Sequence, residues 1–214
     1  MSLKLHVFPP SPRAFKVLAV AEYLGLDYQL CLVDFTKATY KTPEFTVLNP
    51  NQKMPVMEDD GFVLWEANAI TQYLAAKRPD SGLMPTDPAK RALVNQWQCW
   101  DLAHWEPAGA MLVFENFVKV LFNRGPADPV KVAEGEEKFH RVAGILDAHL
   151  GKSSFVVGDA PTVADFSLGS VLNVAREARI PVQGYANIVR WHEVMMNLPG
   201  WRKAMAPPQQ KQAA

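Results

Sequence analysis

From Leu3 to Phe8 the chain alternates apolar and polar residues with the period of two that a strand requires, and Pro9, Pro10 and Pro12 close the run. Between Arg13 and Leu24 the apolar positions Ala14, Val17, Leu18, Ala21 and Leu24 recur at helical spacing, and Gly25 offers a left-handed stop. Tyr28 to Val33 reads as a second strand. A crossover of about three helical turns joins it to the first, which predicts parallel pairing. After a polar, irregular stretch, Pro55 to Glu58 and Phe62 to Trp65 are short apolar runs separated by acidic residues and Gly61, the pattern of a hairpin. Ala67, Ile70, Tyr73 and Leu74 then trace an amphipathic helix that ends near Lys77, before Pro79. The first 80 residues therefore predict an α/β unit of order β-α-β-(irregular)-β-β-α.

Residues 79–88, PDSGLMPTDP, have the composition of a connection between domains, with 81–88 as the linker proper. Beyond it strand alternation disappears. Helical periodicity runs from Ala89 to about Leu121, Val130 to Leu150, Val163 to Ala178 and Ala186 to Met196, so residues 89–214 predict an all-helical domain. Thr162 to Asp165 has the form of a capping box, with Asp165 in place of the commoner Glu and Pro161 just outside. The polar stretch from Pro207 to Ala214 is expected to be a mobile tail.

Composition narrows the possible functions. With 214 residues, 49% of them apolar, the chain can bury a substantial core without metal or disulfide support, and disorder is excluded as its main state. Lys and Arg number 22 against 22 Asp and Glu, so there is no cationic excess for neutralising a polyanion, and nucleic acid is not expected as a partner. No window reaches about 18 apolar residues and the first ten residues lack a leader-like apolar core, which predicts a cytoplasmic protein without a membrane partner. Cys31 and Cys99 stand in neither a CxxC nor a zinc spacing, and their apolar neighbours predict two buried, reduced thiols. There is no P-loop, GxGxxG or GxSxG, and the five histidines form no HExxH pair, so no metal site is expected.

Three turns carry candidate chemistry. Ser11 lies between the first strand and first helix, where Ser followed by Pro12 is also what an ordinary helix start prefers. A capping hydroxyl accepts through oxygen and keeps its proton to donate, so the two roles are compatible. Asn49 to Val56 (NPNQKMPV) leads into a strand; Pro55 is unremarkable at a strand entrance, yet a cis Met54–Pro55 bond would turn the N–H and C=O of Met54 toward an extended peptide ligand. At Trp65 to Ile70 (WEANAI), the N–H groups of a helix start could hold a carboxylate, or Glu66 could simply cap the helix.

In the order strand-Ser-helix, NPxxKxP-strand and strand-WExxAI-helix, followed by a helical half, these sites make the chain resemble the cytosolic glutathione transferase superfamily. The match covers about residues 3–80 and resumes at FVVGDAPTVADF (Phe155 to Phe166). The serine at position 11 and the helix reading EANAITQYLA are most similar to the serine-type, phi/theta-like enzymes. The resemblance implies a thioredoxin-like N-terminal domain (β-α-β-α-β-β-α) over 1–80, and an all-helical C-terminal domain contributing the electrophile pocket. It implies a homodimeric detoxification transferase that conjugates glutathione, as co-substrate, to small hydrophobic electrophiles, with peroxide reduction as a side activity.

Carried over by position, the resemblance implies that Ser11 donates its hydroxyl to the sulfur of glutathione and stabilises the thiolate. Lys41 would meet the glycyl carboxylate, assisted by Lys53; Met54, before Pro55, would pair its backbone with the cysteinyl unit; Glu66 and Ala67 would hold the γ-glutamyl end. Phe35, Trp105, Phe114 and Phe117 would wall the electrophile pocket, with His104 at its border. The sequence departs from the family at two points: Ala67 stands where Ser is usual, which weakens the γ-glutamyl site unless Asn68 or a partner subunit compensates, and Asn51-Gln52 stands where Gly is common before Lys53. Ala67 motivates an alternative, a non-catalytic ligand-binding or partner-docking protein that retains the fold. A glutaredoxin-like thiol exchanger would need a Cys where Ser11 stands.

Overall fold

In a computed structural model of the protein, in which residues 3–206 are described, the chain divides into two compact units. One comprises residues up to Met84 together with the segment from Asn197 onward, and the other spans Pro85–Met196. The stretch from Pro207 to Ala214, expected as a mobile tail, lies outside the described residues.

The first unit follows the predicted order: β1 (Leu3–Val7), α1 (Pro12–Tyr23), β2 (Gln29–Leu32), α2 (Pro43–Leu48), β3 (Val56–Asp59), β4 (Phe62–Trp65) and α3 (Ala67–Ala76). The stretch that reads as irregular contains α2, six residues started by Thr42, whose hydroxyl accepts from the Phe45 N–H. The sheet order is β2-β1-β3-β4. β1 pairs with β2 in parallel, as the helical crossover requires, and with β3 antiparallel; β3 and β4 form the expected hairpin. This is a thioredoxin-like arrangement.

Leu3, Leu5 and Val7 alternate into the core, while Lys4 and His6 take the other face of β1. On that second face His6 bonds Glu58 at 2.7 Å, and Phe45 of α2 packs its ring edge-on to His6. α1 is buried without a break from Ala14 to Ala21, because it packs on α3 and also on α10 (Pro199–Met205). α10 is the main departure from the sequence reading, which assigned everything after residue 88 to the helical domain. Trp201 buries fully and meets Phe15 of α1 edge-on at 5.0 Å, so the end of the chain groups with the first unit. Asp59, at the end of β3, accepts from Tyr73 at 2.8 Å and from Lys77, fastening the hairpin to α3.

The second unit is helical. A long run joins α4 (Pro88–Trp100), α5 (Glu106–Leu112) and α6 (Lys119–Leu121) through two π-helical stretches, Asp101–Trp105 and Val113–Val118. The first π stretch ends just before Pro107, whose missing N–H would break a regular α-ladder there. α7 (Pro129–Leu150), α8 (Val163–Gly169) and α9 (Ala186–Asn197) complete the unit. The capping box forms: the buried Asp165 carboxylate accepts from Thr162 N–H (2.8 Å), Val156 N–H (2.8 Å) and Trp191 Nε1 (3.0 Å). Burial pushes the Asp165 carboxyl up while those donors pull it down.

Both cysteines are free thiols, but neither is fully buried. Cys99 is exposed because α4 turns Val94, Trp97 and Gln98 inward. Cys31 is half-buried on edge strand β2. Among the described residues, no helix is long and apolar enough to cross a membrane and no group of three or more His, Cys, Asp and Glu could hold a metal ion.

Candidate functional site

Strand direction brings the three candidate turns together. Because β1 and β2 run parallel, both end at one edge of the sheet; the register places Val56 opposite His6 and opposite Trp65. The turns after β1 (Ser11), before β3 (Met54–Pro55) and after β4 (Glu66–Ala67) therefore gather at that edge. α1 and α3 start there, each presenting the positive end of its dipole.

A cleft of about 430 Å³ opens at this edge, lined by Ser11, Arg13, Phe35 and Tyr40 on one side and by Asn51, Gln52, Lys53 and Met54 on the other. Arg13 and Lys53 are the charged residues of its lining. Phe35 packs between Phe8 (4.6 Å between centroids) and Tyr40 (4.9 Å), which gives the cleft an aromatic wall. Phe35 was expected here; Arg13, Tyr40 and Asn51 were not. The one signal for Tyr40 in the sequence is its position next to Lys41.

Ser11 stands at the N-cap of α1 in extended conformation, but its side chain makes no capping hydrogen bond. Nor does that of Glu66 at the start of α3. The plain capping roles open to both residues are thus not used. Elsewhere polar caps are engaged: Thr42, Asp87 and Asp128 all accept first-turn N–H groups. Glu66 also holds φ 72° and ψ 114°, a sparsely populated region for a non-glycine residue that costs about 1–3 kcal/mol.

The Met54–Pro55 peptide bond is cis. Ahead of it Asn49, 3% exposed, builds the turn: its Nδ2 donates to the Lys53 carbonyl at 2.7 Å and its Oδ1 accepts the Asn51 N–H at 3.0 Å. Gln52 adopts the left-handed conformation (φ 53°) that glycine would take more readily, and its Nε2 donates to Thr46 Oγ1 at 3.1 Å. Lys53 is exposed at the rim. Lys41 is exposed in a short 3-10 turn, its ammonium 5.6 Å from the Tyr40 ring centroid, on the shoulder of the cleft and outside its lining. Ala67 and Asn68 are buried in the first turn of α3.

One aromatic expectation needs correction. Trp105 is fully buried, donates its indole N–H to the Leu168 carbonyl at 2.8 Å and packs on Phe139, so it is a core residue of the helical unit and walls no pocket. Phe114 is 42% exposed and Phe117 half-buried in the second π stretch. His104 faces a different groove, shared with Glu134, Lys138 and Arg141. Cys31 lies outside the cleft lining, and burial pushes its thiol up, away from the depressed values of reactive cysteines.

The chemistry available is that of an anion holder: the start of α1, two cationic side chains and a hydroxyl with an uncommitted proton around a partly aromatic cleft, with Glu66 and Ala67 at the same end of the sheet but outside the cleft lining. Residues 1–76 match the family model "Glutathione S-transferase, N-terminal domain" and residues 111–199 match "Glutathione S-transferase, C-terminal domain". "Glutathione S-transferase 3" of Zea mays is 31% identical over 210 residues, covering 95% of this chain and 93% of its own. Glutathione transferase F2 from Populus trichocarpa superposes with a TM-score of 0.88 at 27% identity, over 95% of this chain and 97% of that one. The theta class enzyme from Xanthomonas axonopodis pv. citri, solved with glutathione bound, gives 0.87 at 25% identity, over 96% and 98%.

Proposed function

The chain belongs to the glutathione S-transferase family, and on that premise we propose that Ser11 donates its hydroxyl proton to the sulfur of bound glutathione and holds it as the thiolate. The enzyme is a glutathione transferase with glutathione as co-substrate. The observation that carries the serine assignment is that Ser11 lines the cleft while its side chain makes no capping bond. A free thiol of pKa about 8.5 is only a few per cent ionised at pH 7; lowering it by about two units, worth about 2.7 kcal/mol, makes most of the sulfur nucleophilic. The dipole of α1 and the Arg13 charge act in the same direction as the serine hydrogen bond.

In this reading Lys41 and Lys53 meet the glycyl carboxylate, Met54 beside the cis Pro55 pairs its backbone with the cysteinyl unit, and Glu66 with the Ala67 N–H holds the γ-glutamyl end. The acceptors are small hydrophobic electrophiles, with Phe35 the aromatic contact in the cleft. A hydroperoxide meeting the same thiolate would be reduced. Formation of a homodimer belongs to the same reading, and light scattering at about twice the mass of one chain would bear it out.

A pH titration of thiolate absorbance with bound glutathione tests the assignment. A pKa well below about 8.5 in wild type that returns toward it in Ser11→Ala supports it; an unmoved pKa with unchanged turnover would sink it. Ala67, which lacks a hydroxyl for the γ-glutamyl carboxylate, favours a second reading in which the cleft binds but does not turn over. Saturable glutathione binding without conjugation of any electrophile would select that second reading.

A further inference from the structure

The loop from Asp34 to Thr42 joins β2 to α2 and carries Phe35 and Tyr40, which line the cleft, and Lys41 on its shoulder. Its base is fixed to the sheet: Val33, 5% exposed, donates its N–H to the Val7 carbonyl at 2.8 Å and so extends the pairing of β2 with β1. Asp34, the next residue, closes the loop on itself in two ways. Its Oδ1 accepts the Thr36 N–H at 2.8 Å, the Thr36 hydroxyl at 2.6 Å and the Lys37 N–H at 3.1 Å. Its own N–H donates to Thr39 Oγ1 at 2.9 Å, and its carbonyl accepts the Thr39 N–H at 3.0 Å.

These bonds fold the chain back between positions 34 and 39, with Ala38 held in the left-handed conformation (φ 51°), so that the Phe35 and Tyr40 rings meet with centroids 4.9 Å apart. The Tyr40 ring centroid lies in turn 5.6 Å from the Lys41 ammonium. On the glutathione reading above, Phe35 meets the electrophile and Lys41 the glycyl carboxylate. One carboxylate outside the cleft lining therefore governs contacts to both substrates. We propose that Asp34 is a positioning residue that couples the two subsites, presetting together the aromatic contact for an electrophile with an aromatic body and the cationic contact for the glycyl end of glutathione. A loop ordered in the free protein spares both ligands the cost of immobilising these side chains on binding. The proposal rests on the glutathione reading.

Calorimetric titration with three ligands tests it: S-benzylglutathione, S-methylglutathione and S-methyl-γ-glutamylcysteine, which lacks the glycyl residue. Wild type should bind the benzyl ligand about tenfold more tightly than the methyl one, and S-methylglutathione about tenfold more tightly than its glycine-free counterpart. In Asp34→Ala both preferences should fall together, to less than about threefold. Asp34→Asn keeps an Oδ1 that accepts the same N–H groups and should restore both to within about twofold of wild type. Thr39→Val, which conserves the side-chain shape but removes the acceptor of the Asp34 N–H, should also lower both preferences, so the proposal does not hang on one variant folding. Equal weakening of all three ligands with both preferences intact, or loss of one preference alone, would reduce Asp34 to a structural role and overturn the proposal. A wild type that binds but lacks either preference would overturn it as well. Failure of wild type to bind S-methylglutathione at all would overturn the glutathione reading itself, and this proposal with it.

Discussion

Asn49 Nδ2 donates to the main-chain carbonyl of Lys53 at 2.7 Å, closing the turn that delivers Lys53 and Met54 to the cleft. Asn49 is buried and also accepts from the backbone N–H and the side-chain amide of Asn51, so one side chain supports two backbone positions of the turn. Asn49→Ala leaves the Lys53 carbonyl and the Asn51 N–H without these partners, at an expected cost of about 1–3 kcal/mol. In steady-state kinetics the KM for glutathione should rise several-fold while kcat falls less than about threefold, since Ser11 is untouched. A kcat loss as large as that of Ser11→Ala would contradict this division of labour.

Ser11→Ala separates chemistry from folding with unusual clarity, because the hydroxyl makes no cap bond to lose. Thermal or denaturant midpoints should correspond to a change within about 0.5 kcal/mol, while turnover drops about a hundredfold or more. Asp128→Ala is the control. Its carboxylate accepts from the Val130 and Lys131 N–H groups, so its removal should cost about 1 kcal/mol of stability and leave turnover intact.

The features most legible in the sequence were those with local causes. Alternation marked the strands, proline and glycine marked their ends, and the Thr162–Asp165 box forms as its spacing predicts. At Pro55 the local sequence leaves two readings open, and it is the resemblance that implies the cis bond the structure holds. What stayed hidden depends on tertiary packing. Periodicity reports that aromatics share a helix face but not what covers it, so it cannot correct the resemblance, which implies Trp105 as a pocket wall although Leu168 and Phe139 enclose it. Nothing local announces that α10 returns to pack on α1 beside α3, which leaves α1 buried without a break from Ala14 to Ala21. Gln52 has the opposite character: the missing glycine left the turn open in the sequence, and the backbone accepts the left-handed conformation with Thr46 as partner.

His192 sets an acid limit on stability. Burial lowers its pKa to about 4 from the ordinary value of 6.5. Between those two values the unfolded chain takes up a proton that the folded chain refuses, so the unfolded state binds more protons and stability rises with pH. The contribution is fully present above about pH 6.5 and is lost as pH falls toward 4, by at most about 3 kcal/mol. Urea midpoints for wild type should drop across this window, and His192→Gln, which cannot titrate, should flatten that part of the profile. An unchanged slope in the variant would move the acid sensitivity to the carboxylates.

The return of α10 to the first unit hinges on Gly200. A β-carbon built there would fall inside the contact distance of the Tyr23 backbone nitrogen and Cα, atoms of the last turn of α1 that cannot move aside like the end of a flexible side chain. Gly200→Ala must therefore displace α10, and with it Trp201, which is fully buried and packs against Phe15. Overpacking costs about 1–3 kcal/mol, and a partly withdrawn Trp adds lost apolar burial, so a total of 3 kcal/mol or more is expected. Trp201 fluorescence should report the displacement as a red shift before global unfolding. Because α10 lies against α1, the helix that follows Ser11, turnover should fall along with the melting temperature; a stable variant with unshifted emission would mean that α10 can slide along α1 at little cost.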